Sequence, residues 1–494
     1  MTYAKRLLKH QLTADEIVEK LLIISEKEQV CLLDSCGVSN LGSHLLIGGI
    51  DPLETFEITD KNPAKTLQFL DEKLENDNTF AIFTISYDFG LKLENIKPRK
   101  KEFISFNEPD VFVALFDSML IFDYNSNESY LIGNKNRFDE LEARLSSTKG
   151  EKAAQYGNNF GESKIQSNFT KDEYLATIEK IKEFIRCGDT YQTNLTQQIR
   201  AALPENLSPQ QIFHNLRKNH PAPFASFIQR NDSTVISASP ERFFKVESQE
   251  LRVGSKELRV ESANLDVANE SSSNSPLPTL HSPLITTSPI KGTRPRGETA
   301  KEDEKLRKEL LNSDKDRAEN VMIVDLLRND LGRICEFGSV SVEKLCDLEQ
   351  HPTLFHLVST VIGTLRENIR FSDIIRSVFP CGSITGAPKI STMRIIDELE
   401  TAPRGLSMGA IGFSSKDLKV EISKENLFTL HTPLSTLHSL DLSVAIRTMV
   451  IKEQQAIFNV GGGIVIDSDP EDEYKETLVK AKALLQAMNS EFIF

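Results

Sequence analysis

Four acidic side chains stand in two sets, each spaced by one helical turn. Asp316 and Glu319 open a segment with apolar residues at Val321, Val324, Leu327 and Leu331. Glu473, Glu476 and Lys480 follow Asp469-Pro-Glu-Asp at i, i+3 and i+7. On helices these spacings put each set on one face. Carboxylates offered by two helices can hold one hard cation, typically magnesium, with water and substrate completing the shell. Taken alone, each set reads as a solvated face. In Pro289-Ile-Lys291-Gly-Thr-Arg-Pro-Arg296-Gly, a lysine lies between an apolar residue and a glycine. If it faces a pocket, desolvation favours the neutral, nucleophilic amine; otherwise the segment is an exposed basic loop. Ser239-Pro-Glu241-Arg242 sets an acid at the end of a strand, as a proton donor or half of a surface ion pair.

Two glycine-containing segments could receive an anion. Phe379-Pro-Cys-Gly-Ser-Ile-Thr-Gly-Ala-Pro-Lys389 is rich in turn residues and runs into Ile390, Met393, Ile396 and Leu399 at helical spacing. Pro388 suits the first turn, and free N–H groups at a helix start attract anions. Gly382 and Gly386 permit close backbone approach, and Lys389 adds charge. The segment lacks the Gly-Lys-Ser/Thr of a nucleotide-binding phosphate loop. Val460-Gly-Gly-Gly463 extends the strand-like Gln455–Asn459. Consecutive glycines in a strand mark a bulge or a place where another group approaches the backbone.

The elements that must position these groups are legible in part. Strand-like runs at Val30–Leu33, Phe80–Ile85, Val111–Phe116 and Met119–Asp123 suggest an antiparallel sheet in the first 150 residues, with a hairpin turn at Asn125–Glu128. Thr170-Lys-Asp-Glu173 is a helix-capping pattern, followed by Tyr174, Ile178, Ile181 and Ile185 at helical spacing and an end near Gly188. A strand at Tyr191–Arg200, a helix at Pro209–Lys218 and strands at Ala225–Arg230 and Val235–Ala238 come next. This mixed order implies an α+β or α/β core.

Two stretches, 248–288 and 424–439, are rich in Ser, Pro and Leu and share a near-copied phrase at Thr279–Leu284 and Thr429–Leu434. They read as low-complexity insertions without chemistry, including their histidines His281, His431 and His438.

The chain has 494 residues with 39% hydrophobic and 26% charged side chains, a globular balance. At about 150 residues per domain this suggests roughly three domains. A net charge of −14 argues against nucleic acid or an anionic membrane as main partner. Six scattered cysteines, without zinc spacing, read as free thiols. No apolar leader or membrane-spanning run is evident, and a cytoplasmic protein is expected.

Read in order, the segments resemble the chorismate-utilising enzymes, the family of anthranilate synthase component I and the isochorismate and salicylate synthases. The resemblance rests on Tyr191-Gln-Thr-Asn-Leu-Thr, Ser239-Pro-Glu-Arg, Pro289-Ile-Lys-Gly-Thr-Arg-Pro-Arg, Glu319-Asn-Val-Met-Ile-Val-Asp-Leu-Leu-Arg-Asn-Asp and His356-Leu-Val-Ser-Thr. It continues through Gly382-Ser-Ile-Thr-Gly-Ala-Pro-Lys, Ala445-Ile-Arg-Thr, Gly461-Gly-Gly-Ile-Val and Asp467-Ser-Asp-Pro-Glu-Asp-Glu. It is dense from about residue 165 to 494, the expected chorismate-binding region, and weaker over the β-rich 1–150, at Leu32-Leu-Asp-Ser35 and Ile85-Ser-Tyr-Asp88. The implied fold is one sandwich of two facing, antiparallel-rich sheets with helices outside, not three domains. The segment around Ser35 resembles, imperfectly, one that binds tryptophan in relatives; Asp34 stands where they carry Glu, so the resemblance does not imply regulation by tryptophan.

The resemblance also implies roles. Lys291 and Gln192 point to the branch that aminates chorismate to 4-amino-4-deoxychorismate, on the way to para-aminobenzoate and folate. Lys291 would attack ring carbon 2 and Glu241 would protonate the hydroxyl leaving carbon 4. Glu319 and Glu476 would hold magnesium, with Glu473 and Asp316 behind them. Arg447 would bind the enolpyruvyl carboxylate. Thr385, Gly461, Gly462, Gly463 and Lys480 would cradle the anion, and His356 would line the ring pocket. No Gly-x-Cys-x-Gly elbow occurs in the chain, so ammonia would come from a separate glutamine amidotransferase subunit. Two readings compete: anthranilate synthase component I, which Lys291 argues against, and an impaired scaffold that only binds chorismate or a glutaminase, which the retained acid, lysine and carboxylates disfavour.

Overall fold

Local capping chemistry sets several helix starts. Thr170 accepts the Glu173 N–H, and the Glu173 carboxylate accepts the Thr170 N–H at 2.8 Å, opening the helix Lys171–Arg186. Ser208 and Gln211 make the same reciprocal pair before Pro209–Asn219, with proline in the first turn. The computed structural model describes residues 4–38, 43–74, 79–101, 103, 106–148, 161–247, 283–350, 354–415 and 439–490.

The described strands form two sheets, and every pairing within them is antiparallel. The larger sheet runs in the order Ala4–Leu7, Glu128–Gly133, Ser118–Asp123, Leu45–Ile50, Val30–Asp34, Phe224–Gln229, Thr234–Ser239, Thr448–Lys452, Gln455–Ile464, Gln192–Ala202 and Gly386–Ala387. Lys164–Ser167 also pairs with Gln192–Ala202. The smaller sheet runs Ile290–Pro295, Leu354–Thr364, Leu284–Thr287, Arg242–Glu247, Ser439–Val444, Ala410–Ser415, Phe80–Ile85, Val111–Phe116 and Glu54–Ile58, and Ser341–Gln350 adds to Leu354–Thr364.

Alternation along the strands decides which layer each side chain joins. Cys31, Ile47, Ile121, Ile228 and Val450 of the larger sheet pack on Phe80, Ile82, Phe112, Ala114 and Phe413 of the smaller one. Their neighbours Val30, Leu32, Leu46, Leu120 and Phe227 point the other way, onto the helices Ala14–Ile24, Phe138–Ser147, Pro209–Asn219 and Pro470–Ala487. On the far face of the smaller sheet, Phe83, Val113, Phe244 and Leu442 pack with residues of Pro63–Leu74, Asp314–Gly332 and Phe371–Val378. The result is the expected sandwich with helices outside.

The first 150 residues are not a separate layer. Val30–Asp34 pairs with Phe224–Gln229, and Phe80–Ile85 pairs with Ala410–Ser415. The hairpin expected at Asn125–Glu128 is present, closing on the pair Asp123 and Glu128. The proposed insertions lie mostly outside the described residues, at 248–282 and 416–438. The first insertion is shorter than the sequence suggests. Leu284–Thr287 is a strand between Arg242–Glu247 and Leu354–Thr364, and its alternating Ile285 and Thr287 are buried.

Candidate active site

Lys291 and Glu241 reach the same loop from different strands. Lys291 lies on Ile290–Pro295, whose register against Leu354–Thr364 shifts between Ile290 and Thr293. Such a shift re-aims side chains. Gly292 supplies the turn with a φ of +85°, and a Cβ there would come within 2.9 Å of the Cβ of Asp316. The Lys291 Nζ donates to the carbonyl oxygen of Ser383 at 3.1 Å. Glu241 follows the strand Thr234–Ser239; the Ser239 hydroxyl accepts its N–H at 3.3 Å, and its carbonyl accepts the Val444 N–H at 3.0 Å. The Glu241 side chain is buried, and its Oε1 has no protein partner. Burial holds its carboxyl above the ordinary range, against the hydrogen bond from the Ser383 side chain and the charge of Lys291. A raised pKa favours the protonated form, which can donate its proton.

Ser383, which sequence reasoning did not single out, thus accepts from Lys291 through its carbonyl, and its side chain lies near enough to Glu241 to favour the charged form of that group. It sits in the turn Gly382–Ile384. Thr385, expected to bind the substrate, turns its hydroxyl into this loop, donating to the Cys381 carbonyl at 3.0 Å. Its own carbonyl accepts the Asn194 N–H at 2.8 Å. Lys389 does not add charge to the loop: it is buried, 2.6 Å from the Asp330 carboxylate.

The three glycines of Gln455–Ile464 meet three different neighbours. A Cβ at Gly461 would lie 1.8 Å from the Leu195 carbonyl oxygen, and one at Gly463 would lie 2.2 Å from the Gln192 amide nitrogen. Gly462 borders Glu473 and Lys480. The Gln192 amide is buried with neither polar atom bonded to protein, so it is available to a ligand beside Gly463. Lys480 donates to the Gly461 carbonyl at 3.0 Å and pairs with Glu476 at 2.7 Å.

The helices Asp314–Gly332 and Pro470–Ala487 bring the acidic sets to the same region. Lys315 bonds Glu473 at 3.0 Å, which the Ser468 hydroxyl also reaches at 2.7 Å. Asp316 is paired with Arg294 at 3.2 Å. Burial raises Glu319 above the ordinary carboxylate range; Lys291 and Lys315 oppose this, while Glu473 and Asp316 add to it. Partial desolvation also pushes Glu476 up, but Lys480, Lys315 and Lys291 outweigh it and hold the group low. Among the described residues, no three His, Cys, Asp or Glu side chains are clustered closely enough to form a metal cage. Two carboxylates of hard oxygen donors, with water and substrate, are nevertheless what magnesium commonly uses. Asp316 is engaged by Arg294, Glu473 by Lys315 and Glu476 by Lys480, so among these three a cation would have to displace a basic side chain, whereas Glu319 has no described ion pair.

Arg447 precedes the strand Thr448–Lys452, and its carbonyl accepts the Ala238 N–H at 3.0 Å. Burial lowers its basicity, and no described carboxylate pairs with it, so an anionic ligand would meet a poorly compensated cation. His356 is buried opposite Thr293 in the strand register, its Nδ1 2.9 Å from the Thr293 hydroxyl, two residues from Lys291. A separate cavity of about 270 Å³ opens between the sheets beside Ser35, Phe224 and Asp441. It contains none of these groups, and its Asp34 is held by Arg217 and the Tyr124 hydroxyl at 2.6 and 2.7 Å.

The arrangement gathers a lysine amine, a protonatable acid and hard-oxygen donors in one region. The sequence matches the family described as chorismate binding enzyme over residues 28–254, 267–423 and 434–486. The two gaps in that match fall inside the low-complexity stretches, and the match reaches well into the N-terminal region. This chain belongs to the chorismate binding enzyme family. It is 32% identical over 486 residues, 90% of each chain, to aminodeoxychorismate synthase component 1 of Bacillus subtilis. It is 36% identical over 323 residues to anthranilate synthase component 1 of Aquifex aeolicus, covering 65% of this chain and 54% of that one. The crystal structure of anthranilate synthase component I from Streptococcus pneumoniae superposes with a TM-score of 0.63 at 25% identity, covering 98% of this chain and 92% of the other. Among the described residues no helix is long and apolar enough to cross a membrane.

Proposed function

We propose that this chain aminates chorismate to 4-amino-4-deoxychorismate, in the cytoplasm, using ammonia released by a separate glutamine amidotransferase subunit. The observation that carries this reading is the Lys291 amine, held at 3.1 Å by the Ser383 carbonyl, near the buried carboxyl of Glu241. The likeness to aminodeoxychorismate synthase component 1 over nine-tenths of both chains supports it.

In this reading the Lys291 amine forms a bond to ring carbon 2 of chorismate. Both double bonds of the ring diene shift, the bond from carbon 4 to its hydroxyl breaks, and Glu241 supplies the proton with which the hydroxyl departs as water. Ammonia then bonds to carbon 4, both double bonds shift back, and the Lys291 amine leaves carbon 2. The proton shed by the incoming ammonia returns to Glu241. In sum, ammonia replaces the hydroxyl and one water is released. Arg447 binds the side-chain carboxylate, and Gln192 and the Gly461–Gly463 backbone bound the ring pocket. Magnesium, held by Glu319 and Glu476, would neutralise the ring carboxylate and fix its orientation.

Intact-protein mass spectrometry tests the covalent step. Chorismate added without ammonia should increase the mass of the wild-type chain by chorismate less one water. Lys291→Ala should show no increase. An equal adduct on both proteins would exclude Lys291 as the nucleophile.

A further inference from the structure

Arg404 follows the helix Lys389–Leu399 and stands outside the set of groups assigned above, yet it is buried and its hydrogen bonds go to elements that build the site. Its Nη1 donates to the Ile384 carbonyl at 2.9 Å, and its Nη2 to the Asn194 carbonyl at 2.7 Å. Nε and Nη2 also hold the Glu400 carboxylate at 2.9 and 2.8 Å. Glu400 in turn accepts the backbone N–H and the hydroxyl of Thr196 at 2.8 and 2.9 Å. The guanidinium lies over the ring of Tyr87, 4.5 Å from its centroid. One planar cation therefore joins the loop Gly382–Ile384, the strand Gln192–Ala202 and the end of the helix Lys389–Leu399. Ile384 is the residue after Ser383, which carries the contacts to both Lys291 and Glu241.

We propose that Arg404 is a positioning residue for the reaction: it fixes the backbone of the Gly382–Ile384 turn, and through Ser383 it sets where Lys291 and Glu241 stand relative to each other. A structural cross-link could be made by any cation, but this one uses the fork of a guanidinium on two carbonyls and a carboxylate at once, which a lysine cannot reproduce. Misplacement of reacting groups by about 1 Å costs on the order of 100-fold in rate. Loosening the turn would also weaken the Ser383 hydrogen bond that opposes the effect of burial on Glu241. The proposal rests on the roles given above to Lys291 and Glu241.

The test is Arg404→Lys, compared with wild type and Lys291→Ala in the ammonia-dependent assay, with a thermal melt of each protein. The expected result is a folded variant whose kcat falls about 100-fold while KM for chorismate stays within roughly threefold. The basic limb of its pH profile should move to higher pH, because Glu241 loses a hydrogen bond that favours its charged form. A merely structural role would lower stability and leave that limb in place, and would overturn the proposal, as would an unchanged kcat. If Arg404→Lys does not fold, Glu400→Gln, which keeps the shape and removes the countercharge, is judged by the same criteria. An active Lys291→Ala would remove the reading beneath the proposal. An inactive Lys291→Ala beside an unimpaired Arg404→Lys would overturn the positioning role alone.

Discussion

Lys291 donates from its Nζ to the carbonyl oxygen of Ser383 at 3.1 Å, while the Ser383 side chain lies near the buried carboxyl of Glu241 and favours its charged form. Residues separated widely in the chain are thereby held around one turn, a nucleophile on one side and a proton donor on the other.

Glu241 should govern the alkaline limb of the rate. Burial raises its pKa, so its protonated form persists to higher pH than an exposed glutamic acid allows, and activity should fall as pH rises through that raised value. Glu241→Gln keeps the shape without the proton and should lower kcat by about 10²–10⁴. A pH–rate series on both proteins checks this; a variant that keeps the wild-type limb would show that another group supplies the proton.

Magnesium dependence should separate the four acids. Glu319→Gln and Glu476→Gln should each raise the half-saturating magnesium concentration at least tenfold, by analogy with the roughly 10–100-fold cost of losing even an outer partner of a metal site. Asp316→Asn should cost less, because Asp316 is assigned behind those two ligands and not to the ion itself. Magnesium titrations of activity measure the order directly. Equal effects at Asp316 and Glu319 would place both on the ion.

The glycine run should split into a folding position and a functional one. A methyl at Gly461 meets the Leu195 carbonyl oxygen at 1.8 Å, so Gly461→Ala must push two backbones apart and should lose about 1–3 kcal/mol or more. At Gly463 the methyl meets the end of the Gln192 side chain at 2.2 Å. That amide can swing aside, so Gly463→Ala should melt near wild type and lose activity instead. Melting curves and kcat for the pair distinguish the two; a reversed pattern would mean that Gln192 is a packing residue.

Much of this was legible in the sequence wherever the signal was local. Thr170 with Glu173 announced a helix, and the spacing of Asp316 with Glu319 and of Glu473 with Glu476 placed each set on a helix. The long-range pairings were not legible. Nothing near Val30–Asp34 says that it lies beside Phe224–Gln229, because β partners are chosen by packing across the whole chain. The same limit explains Lys389. Its neighbours suggested an anion loop, but its carboxylate partner, Asp330, comes from the helix Asp314–Gly332. Leu284–Thr287 was hidden by its Ser- and Pro-rich surroundings, although its alternating Ile285 and Thr287 carry the signature of a half-buried strand. Ser383 offered no signal beyond its place in a turn-rich motif, since its contacts run through a carbonyl and a hydroxyl whose partners only the fold supplies.

The most direct test of the proposed chemistry is product analysis. The purified chain is incubated with chorismate, magnesium and ammonium, and the products are separated by chromatography beside those of Lys291→Ala. The expected result is 4-amino-4-deoxychorismate without pyruvate from the wild type, and almost none from the variant. Anthranilate with an equivalent of pyruvate would contradict it and move the chain to the neighbouring branch of the family.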